Sequence, residues 1–262
     1  MLIEERNMNL LHLKYPDQMN NWNLKIIDLF EANIVDNIDL GRIGSKNDGG
    51  YFLPTSFLSS RNWITIGLGS NIEFENDLCS RDSKVVSFDH TILGRPRQLN
   101  PKVRYFKLGW GTENKRNKLV NLESMLKIAE FAPIDSVSWC LKFDIEGNEW
   151  ELMHQIHELV NKPALIICEL HNLIYRNSGK LVENMHETLI ELFKEYIACI
   201  IHGNNYSIYF RDKDYGIYDI AEVTLVRRDL VETCQVRSTQ FRVDDYRNIE
   251  QIIQMPIGRF TL

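Results

Sequence analysis

The chain of 262 residues is 44% hydrophobic and 25% charged, enough to bury one sizeable core, and its 36 acidic against 30 basic residues leave a net charge of −6. That balance argues against a nucleic-acid partner, which calls for a basic excess. No apolar run reaches the roughly 20 residues that cross a bilayer, and the opening "MLIEERNMNLLHLKYPDQMN" lacks the apolar segment of a secretory signal. The cysteines Cys79, Cys140, Cys168, Cys199 and Cys234 are scattered without a C-x-x-C pair, so a reduced, cytoplasmic protein is expected.

Leu24, Ile26, Ile27, Leu29, Phe30 and Ile34 predict an amphipathic helix over Asn21 to Val35. "GRIGSKNDGGYFLP" follows, and its Asn-Asp-Gly-Gly core predicts a hairpin turn. From there strands and helices alternate. "WITIGL" reads as a strand and Asn71 to Arg81 as a helix; "KVVSFD" and "KVRYFKLG" read as strands, with a helix from Leu122 to Phe131. "VSWCLKFD" is a fourth strand, followed by a helix in "GNEWELMHQIHELV" with Trp150, Met153, Ile156 and Val160 on one side. "PALIICEL" is a fifth strand, Lys180 to Tyr196 a helix, and "YIACIIHG" and "AEVTLVRR" the sixth and seventh strands. The organisation expected is an N-terminal helix and hairpin extension over 1–60, a core over 61–228, and a tail over 229–262 that packs on the core or forms a homo-oligomer contact.

Short, nearly continuous apolar strands alternating with helices predict an α/β, doubly wound, Rossmann-like, mostly parallel sheet. Its ligand belongs beyond the carboxyl ends of the strands. Chemistry-bearing residues collect there: Gly67 to Asn71, Asp89 and His90, Gly109 to Thr112, Asp144 to Gly147, Glu169 to Asn172, and His202 to Asn205. Glycines at a strand-to-helix turn let backbone approach a ligand, and an acid ending the next strand accepts the hydroxyls of a ribose. Gly67, Gly69 and Asp89 therefore outline a nucleoside pocket, unless they only shape a tight turn. A dinucleotide calls for a third spaced glycine and a helix start that welcomes phosphate. Here that helix opens with Glu73 and Glu75, which suit the positively charged S-adenosylmethionine better than NAD.

"LKFDIEGNEWELM" resembles the K-x-D-x-E-G-x-E-W/Y motif of the FkbM-like group of class I S-adenosylmethionine-dependent methyltransferases. "GLGSN" resembles that group's glycine loop and "VVSFDHT" its second-strand acid, while "RIGSKNDGGY", "ICELH" and "IIHGNN" resemble segments of a subset; the resemblance spans Arg42 to Arg228. It implies a seven-stranded sheet with its last strand antiparallel. It also implies O-methylation of a sugar hydroxyl, on a nucleotide-linked or a capsule or lipopolysaccharide sugar such as a heptose or hexose. The cofactor-binding residues it implies are Gly67, Gly69, Ser70, Asn71, Asp89, His90, Gly109 and Asp144. Two positions depart from the pattern: Thr65 stands where an acid is usual, and Asn71 where the loop has its third glycine.

A sugar hydroxyl is a poor nucleophile until a base or a metal helps to remove its proton. Asp144, closing the fourth strand, is expected to orient that hydroxyl; the bland alternative is a helix cap. Glu146 is a substrate contact or a complement to the helix dipole. Glu169 and His171 are expected to face opposite sides of the sheet. His171 or His202 is the expected general base, on two neighbouring strand ends. The competing design is Mg2+ or Mn2+ held by Asp144 and Glu169. Arg42, Asp48 and Tyr51 of the hairpin, with Asn204 and Asn205, complete the expected acceptor contacts, although chain order keeps the hairpin out of the sheet's own cofactor pocket. His154 and His157 are expected on the surface. His186-Glu187 lacks a zincin's second histidine, and "RDKDYG" at Arg211 to Gly216 reads as a polar turn, not a calcium loop. The rivals are an NAD-dependent sugar oxidoreductase and a non-catalytic nucleoside-binding module.

Overall fold

The computed structural model describes residues 16–35, 38–114, 118–131, 139–174, 180–233 and 258–259. Helix α1 (Pro16–Ala32) is followed by β1 (Leu40–Gly44) and β2 (Gly50–Pro54), a short 3-10 turn, β3 (Asn62–Ile66) and α2 (Glu73–Ser80). Next come β4 (Lys84–Phe88), β5 (Arg104–Phe106), β6 (Gly109–Trp110), β7 (Leu119–Val120), α3 (Leu122–Ala129), β8 (Trp139–Phe143) and α4 (Glu149–Glu158). The chain continues through β9 (Leu165–Leu170), α5 (Lys180–Glu195), β10 (Tyr196–Gly203), β11 (Tyr209–Arg211), β12 (Tyr215–Tyr218), β13 (Ala221–Arg227) and β14 (Gly258–Arg259).

Seven strands form the central sheet in the order β10-β13-β9-β8-β3-β4-β5. β9, β8, β3, β4 and β5 pair in parallel, and β13 runs antiparallel to both β9 and β10. The last strand of the chain to enter this sheet is thus the antiparallel one. The order reverses between β3 and β8, and a crevice opens at their carboxyl ends for a ligand.

Both faces of the sheet are covered, which is why its middle strands are apolar throughout rather than alternating. One face carries α1, α3, α4 and α5, packed through Ile26, Phe30, Met125, Leu152, Met153 and Leu189. The other carries α2 and the β1–β2 hairpin through Phe74, Leu78, Ile43 and Leu53. Each fully buried side chain of this kind contributes roughly 1.5–3 kcal/mol. The hairpin is therefore part of the sheet's cover, and Thr224 Oγ1 of β13 donates to Phe52 O of β2 at 2.6 Å.

Some expected boundaries move. α1 begins at Pro16, a residue whose missing N–H costs nothing in a first turn, and Asp17 complements the helix dipole. It ends at Ala32 because the chain turns extended: Ile34 bridges Ala198 of β10, and Val35 N donates to Ala198 O. α4 stops at Glu158, so Val160 leaves the helix face and is 96% exposed. The polar turn at Arg211 to Gly216 closes the β11–β12 hairpin, with Asp212 N donating to Tyr215 O. Within the expected tail, β14 pairs with β12; most of the rest, including Cys234, lies outside the described residues. The other four cysteines are buried and form no disulfide among the described residues. Among the described residues no helix is long and apolar enough to cross a membrane.

Candidate active site

A cavity of about 490 Å³ opens at the carboxyl ends of β3, β4 and β8. Gly67, Gly69, Ser70, Asn71, Asp89, His90, Gly109 and Asp144 all line it. The two turn glycines serve different ends. At Gly67 a Cβ would stand 1.8 Å from Asp144 O, so the residue lets β3 and β8 close up. At Gly69 a Cβ would meet nothing within 4 Å, and the requirement is its positive φ of 61°.

Asp89 is the organiser of this end. Its Oδ2 accepts from Gly69 N at 2.8 Å, and its Oδ1 accepts from Thr91 N at 2.7 Å and Thr91 Oγ1 at 2.6 Å. Burial pushes its carboxyl up, but the Thr91 hydroxyl and the amides of Gly69, Thr91 and Ile92 outweigh it and hold the group below the ordinary carboxylate range. The acid therefore stays charged, faces the cavity and keeps the glycine turn in shape.

The departures at Thr65 and Asn71 have structural counterparts. The Thr65 and Ser87 hydroxyls are hydrogen-bonded at 2.7 Å, and Thr65 also bonds the buried carboxyl of Glu75, whose pKa is raised by burial against the pull of Lys142. Asn71 Nδ2 donates to Asp48 O at 2.7 Å, and Asn71 Oδ1 accepts from Glu73 N at 3.1 Å. The side chain thus straps the hairpin turn to the start of α2. It requires Gly49 opposite, where a Cβ would lie 2.3 Å from Asn71 Nδ2. In consequence Asp48, Gly49 and Tyr51 line the cavity, overturning the expectation that chain order keeps the hairpin out of it. Arg42 is turned onto its own hairpin, where Nε donates to Ser45 O and Nη2 to Asn47 O, both at 2.8 Å. It is not part of the cavity wall.

On the β8 side, the segment after Phe143 makes a left-handed loop, with φ of 56° at Glu146 and 104° at Gly147. Glu149, fully buried, holds it: its carboxylate accepts from Ile145 N at 3.1 Å and from Gly147 N at 3.0 Å. Asn148, not Asp144, occupies the N-cap of α4, so the bland reading of Asp144 as a helix cap is not what the structure shows. Asp144 faces the cavity, and its Oδ1 is buried without a hydrogen-bond partner among the described residues. Lys142 donates to Gly67 O at 2.9 Å and lies 5.5 Å from the Tyr51 ring centre.

Glu169 and His171 do not face opposite sides. Residues two apart in extended chain share a face, and His171 Nε2 lies 3.5 Å from Glu169 Oε2. The same nitrogen lies 3.5 Å from Glu146 Oε2, and Nδ1 lies 3.2 Å from Glu149 Oε1. Burial would lower the imidazole pKa, but Glu149, Glu169 and Asp144 raise it to about 9. A ring held protonated at neutral pH is not a general base, and His171 is not on the cavity wall. Its carbonyl also accepts from Trp150 Nε1 at 3.1 Å, which fixes the loop to α4. His202 fails as a base for another reason. β13 lies between β9 and β10, so His202 stands three strands from Asp144, about 14 Å at ~4.8 Å per strand. Asn204 Nδ2 donates to Glu169 Oε1 at 2.6 Å and so positions that acid, while Asn205 is buried away from the cavity.

Sequence reasoning gave no individual role to Lys142, Glu149 or Glu222. Lys142 and Glu222 stood out in the sequence as charges inside apolar strands, a placement that demands a partner. Glu222 is buried on β13 directly opposite Glu169 on one side and His202 on the other. A larger hollow of about 770 Å³ lies between α4 and α5, lined in part by the surface residues His154 and His157. It shares no lining residue with the strand-end cavity.

A scan against protein-family models and a search of curated proteins found no match for this chain. Solved structures do match. One is a candidate tRNA methyltransferase from Streptococcus pneumoniae in complex with S-adenosyl-L-methionine, 12% identical, covering 72% of this chain and 73% of its own, with a TM-score of 0.33. Another is a candidate hemolysin from Streptococcus thermophilus, 10% identical, covering 72% of this chain and 66% of its own, with a TM-score of 0.37. At such scores the likeness is loose, and the functional reading rests on strand order and on the cavity.

Proposed function

We propose that the protein is an S-adenosylmethionine-dependent O-methyltransferase of the FkbM-like group, acting on a hydroxyl of a nucleotide-linked or surface-polysaccharide sugar. The observation that carries the methyltransferase reading is one cavity wall, at the reversal of strand order, that holds the glycine turn, Asp89 and Asp144 together. The sugar class is supported by the likeness of "LKFDIEGNEWELM" to that group's motif.

The residues present fit a nucleoside. The space beside Gly69 is open, Asp89 is a fixed anion whose Oδ2 accepts one hydrogen bond and keeps a lone pair for a ribose hydroxyl, and the cavity has the size of a small-molecule site. The acidic start of α2, where Glu73 is exposed, does not suit a pyrophosphate. When bound, S-adenosylmethionine supplies an activated methyl group. The protein's part is to hold the acceptor in line and to take up its proton. Asp144 is the group placed to do so, with a buried oxygen that has no other partner among the described residues. His171 acts through others, bracing Glu149 and Glu169.

Calorimetry with S-adenosylmethionine, S-adenosylhomocysteine and NADH tests the cofactor: the first two bind and the third does not. Turnover on a panel of nucleotide sugars tests the acceptor, with Asp144→Ala expected to lose it. Tight NADH binding, or full turnover by Asp144→Ala, would sink the reading.

A further inference from the structure

Lys142 is a lysine on the central strand of the sheet. It stands on β8 opposite Thr65 of β3 and is only 5% exposed, so its ammonium is held away from bulk water. A buried charge needs partners, and an ammonium has three N–H donors to satisfy. One donates to Gly67 O at 2.9 Å, and the nitrogen lies 5.5 Å from the Tyr51 ring centre. No carboxylate among the described residues comes within 4.0 Å of it. The buried Glu75 carboxyl feels the lysine's charge, yet burial is the stronger influence and raises its pKa, which favours the neutral acid. Two donors of the ammonium therefore have no acceptor among the described residues.

The cavity gives these donors a direction. Lys142 lines it and is the one lysine or arginine to do so among the described residues, against the carboxylates of Asp48, Asp89, Asp144 and Glu146. Its acceptor Gly67 O belongs to the glycine turn, so the charge sits at the end of the cavity that suits a nucleoside cofactor. Thr65, where an acid is usual, is fully buried, is bonded to Ser87 Oγ and is not on the cavity wall. Whatever holds the amino-acid end of the cofactor is therefore not the side chain at position 65.

We propose that Lys142 Nζ binds the carboxylate of the methionine part of S-adenosylmethionine while keeping its bond to Gly67 O. The inference rests on the methyltransferase reading and gives it a specificity-determining residue. The cofactor carries two cations, the sulfonium and the amine, and one anion, the carboxylate. A wall of acids with a single lysine matches that distribution, and Lys142 alone on it offers the anion a full opposite charge. A phosphate of the acceptor is the other anion to consider, and the four carboxylates on the same wall repel its greater charge more strongly. Because Lys142 is buried before any ligand arrives, the cost of stripping water from it falls on folding and not on binding.

The test is calorimetry on the whole chain with S-adenosylhomocysteine and its decarboxylated analogue, S-adenosyl-3-thiopropylamine, which differ in the carboxylate alone. Wild type should bind the first at least about tenfold more tightly. Lys142→Met should bring the two affinities within about twofold of each other by weakening S-adenosylhomocysteine alone. A lysine that only braces Gly67 and offsets Glu75 gives another result: Lys142→Met then weakens both probes equally, and that outcome overturns the proposal. Equal affinities in wild type overturn it too, as does a loss in Lys142→Met that falls on nucleotide sugars and spares S-adenosylhomocysteine. Lys142→Gln takes the same place in the comparison if Lys142→Met fails to fold by circular dichroism. Binding of neither probe by wild type removes the methyltransferase reading itself, whereas binding of both without regard to Lys142 removes only the role of this residue.

Discussion

Asp89 and Glu169 are both buried carboxylates at the carboxyl end of a parallel strand, and they are built in opposite ways. Asp89 is surrounded by donors: the Gly69 and Thr91 amides and the Thr91 hydroxyl all point at it, and its pKa falls. Glu169 is surrounded by acids, with Asp144 beside it and Glu222 opposite. Burial and Asp144 push its carboxyl to about 8, against the Asn204 hydrogen bond and the charge of His171. One end of the site holds its charge on preformed donors, whereas at the other burial and a neighbouring acid favour the protonated carboxyl. A nucleoside needs a preformed cradle of fixed charge.

The largest effect expected comes from Glu149→Ala. It leaves the loop amides of Ile145 and Gly147 unbonded and takes the Nδ1 partner from a buried, charged His171. The expected loss is about 3–5 kcal/mol of stability, read by urea denaturation; a loss below about 1 kcal/mol would mean the loop is held otherwise. Next is Asp89→Ala, which removes a charged acceptor from the cradle. S-adenosylhomocysteine affinity should fall by about 10–100-fold, equivalent to roughly 1.5–3 kcal/mol, while Glu169→Gln should change it by less than about twofold. Equal losses in the two variants would erase the contrast between the ends.

Acid sharpens the same comparison. The folded pKa of Asp89 lies below its unfolded value, so its contribution is full above about pH 4 and is lost as pH falls through the folded value. Thermal unfolding from pH 6 to 3 should show wild type declining more steeply than Asp89→Asn. Parallel curves would mean that the hydrogen bonds do not favour the charged form. The smallest effect is that of Asn71→Gly, which restores the usual glycine but cuts the strap to Asp48 O. It should cost about 0.5–1.5 kcal/mol, read by urea denaturation, and should leave S-adenosylhomocysteine binding within about twofold of wild type.

Much of the cofactor end was legible in the sequence, since it is built from local signals. A strand, a glycine turn and a helix are contiguous from Trp63 to Ser80, and the acid that completes them stands 20 residues after Gly69, at the end of the adjacent strand. Period and turn chemistry are properties of short windows, so they survive without the fold. The acceptor end had no such window. Asp48, Glu169 and Glu222 come from segments more than fifty residues apart, and nothing local ties Glu222 to Glu169.

The amino-acid order by itself determined that the chain alternates strands and helices, where most of the strands lie, and that polar chemistry collects after them, because periodicity and glycine turns act over a few residues. Only the tertiary structure decided that β13 inserts between β9 and β10, which separates His202 from Asp144 and sets Glu222 against Glu169. Only it brought the hairpin onto the cavity through Asn71. Strand pairing and side-chain packing are settled by which surfaces fit and exclude water across the whole chain, and no short stretch carries that information.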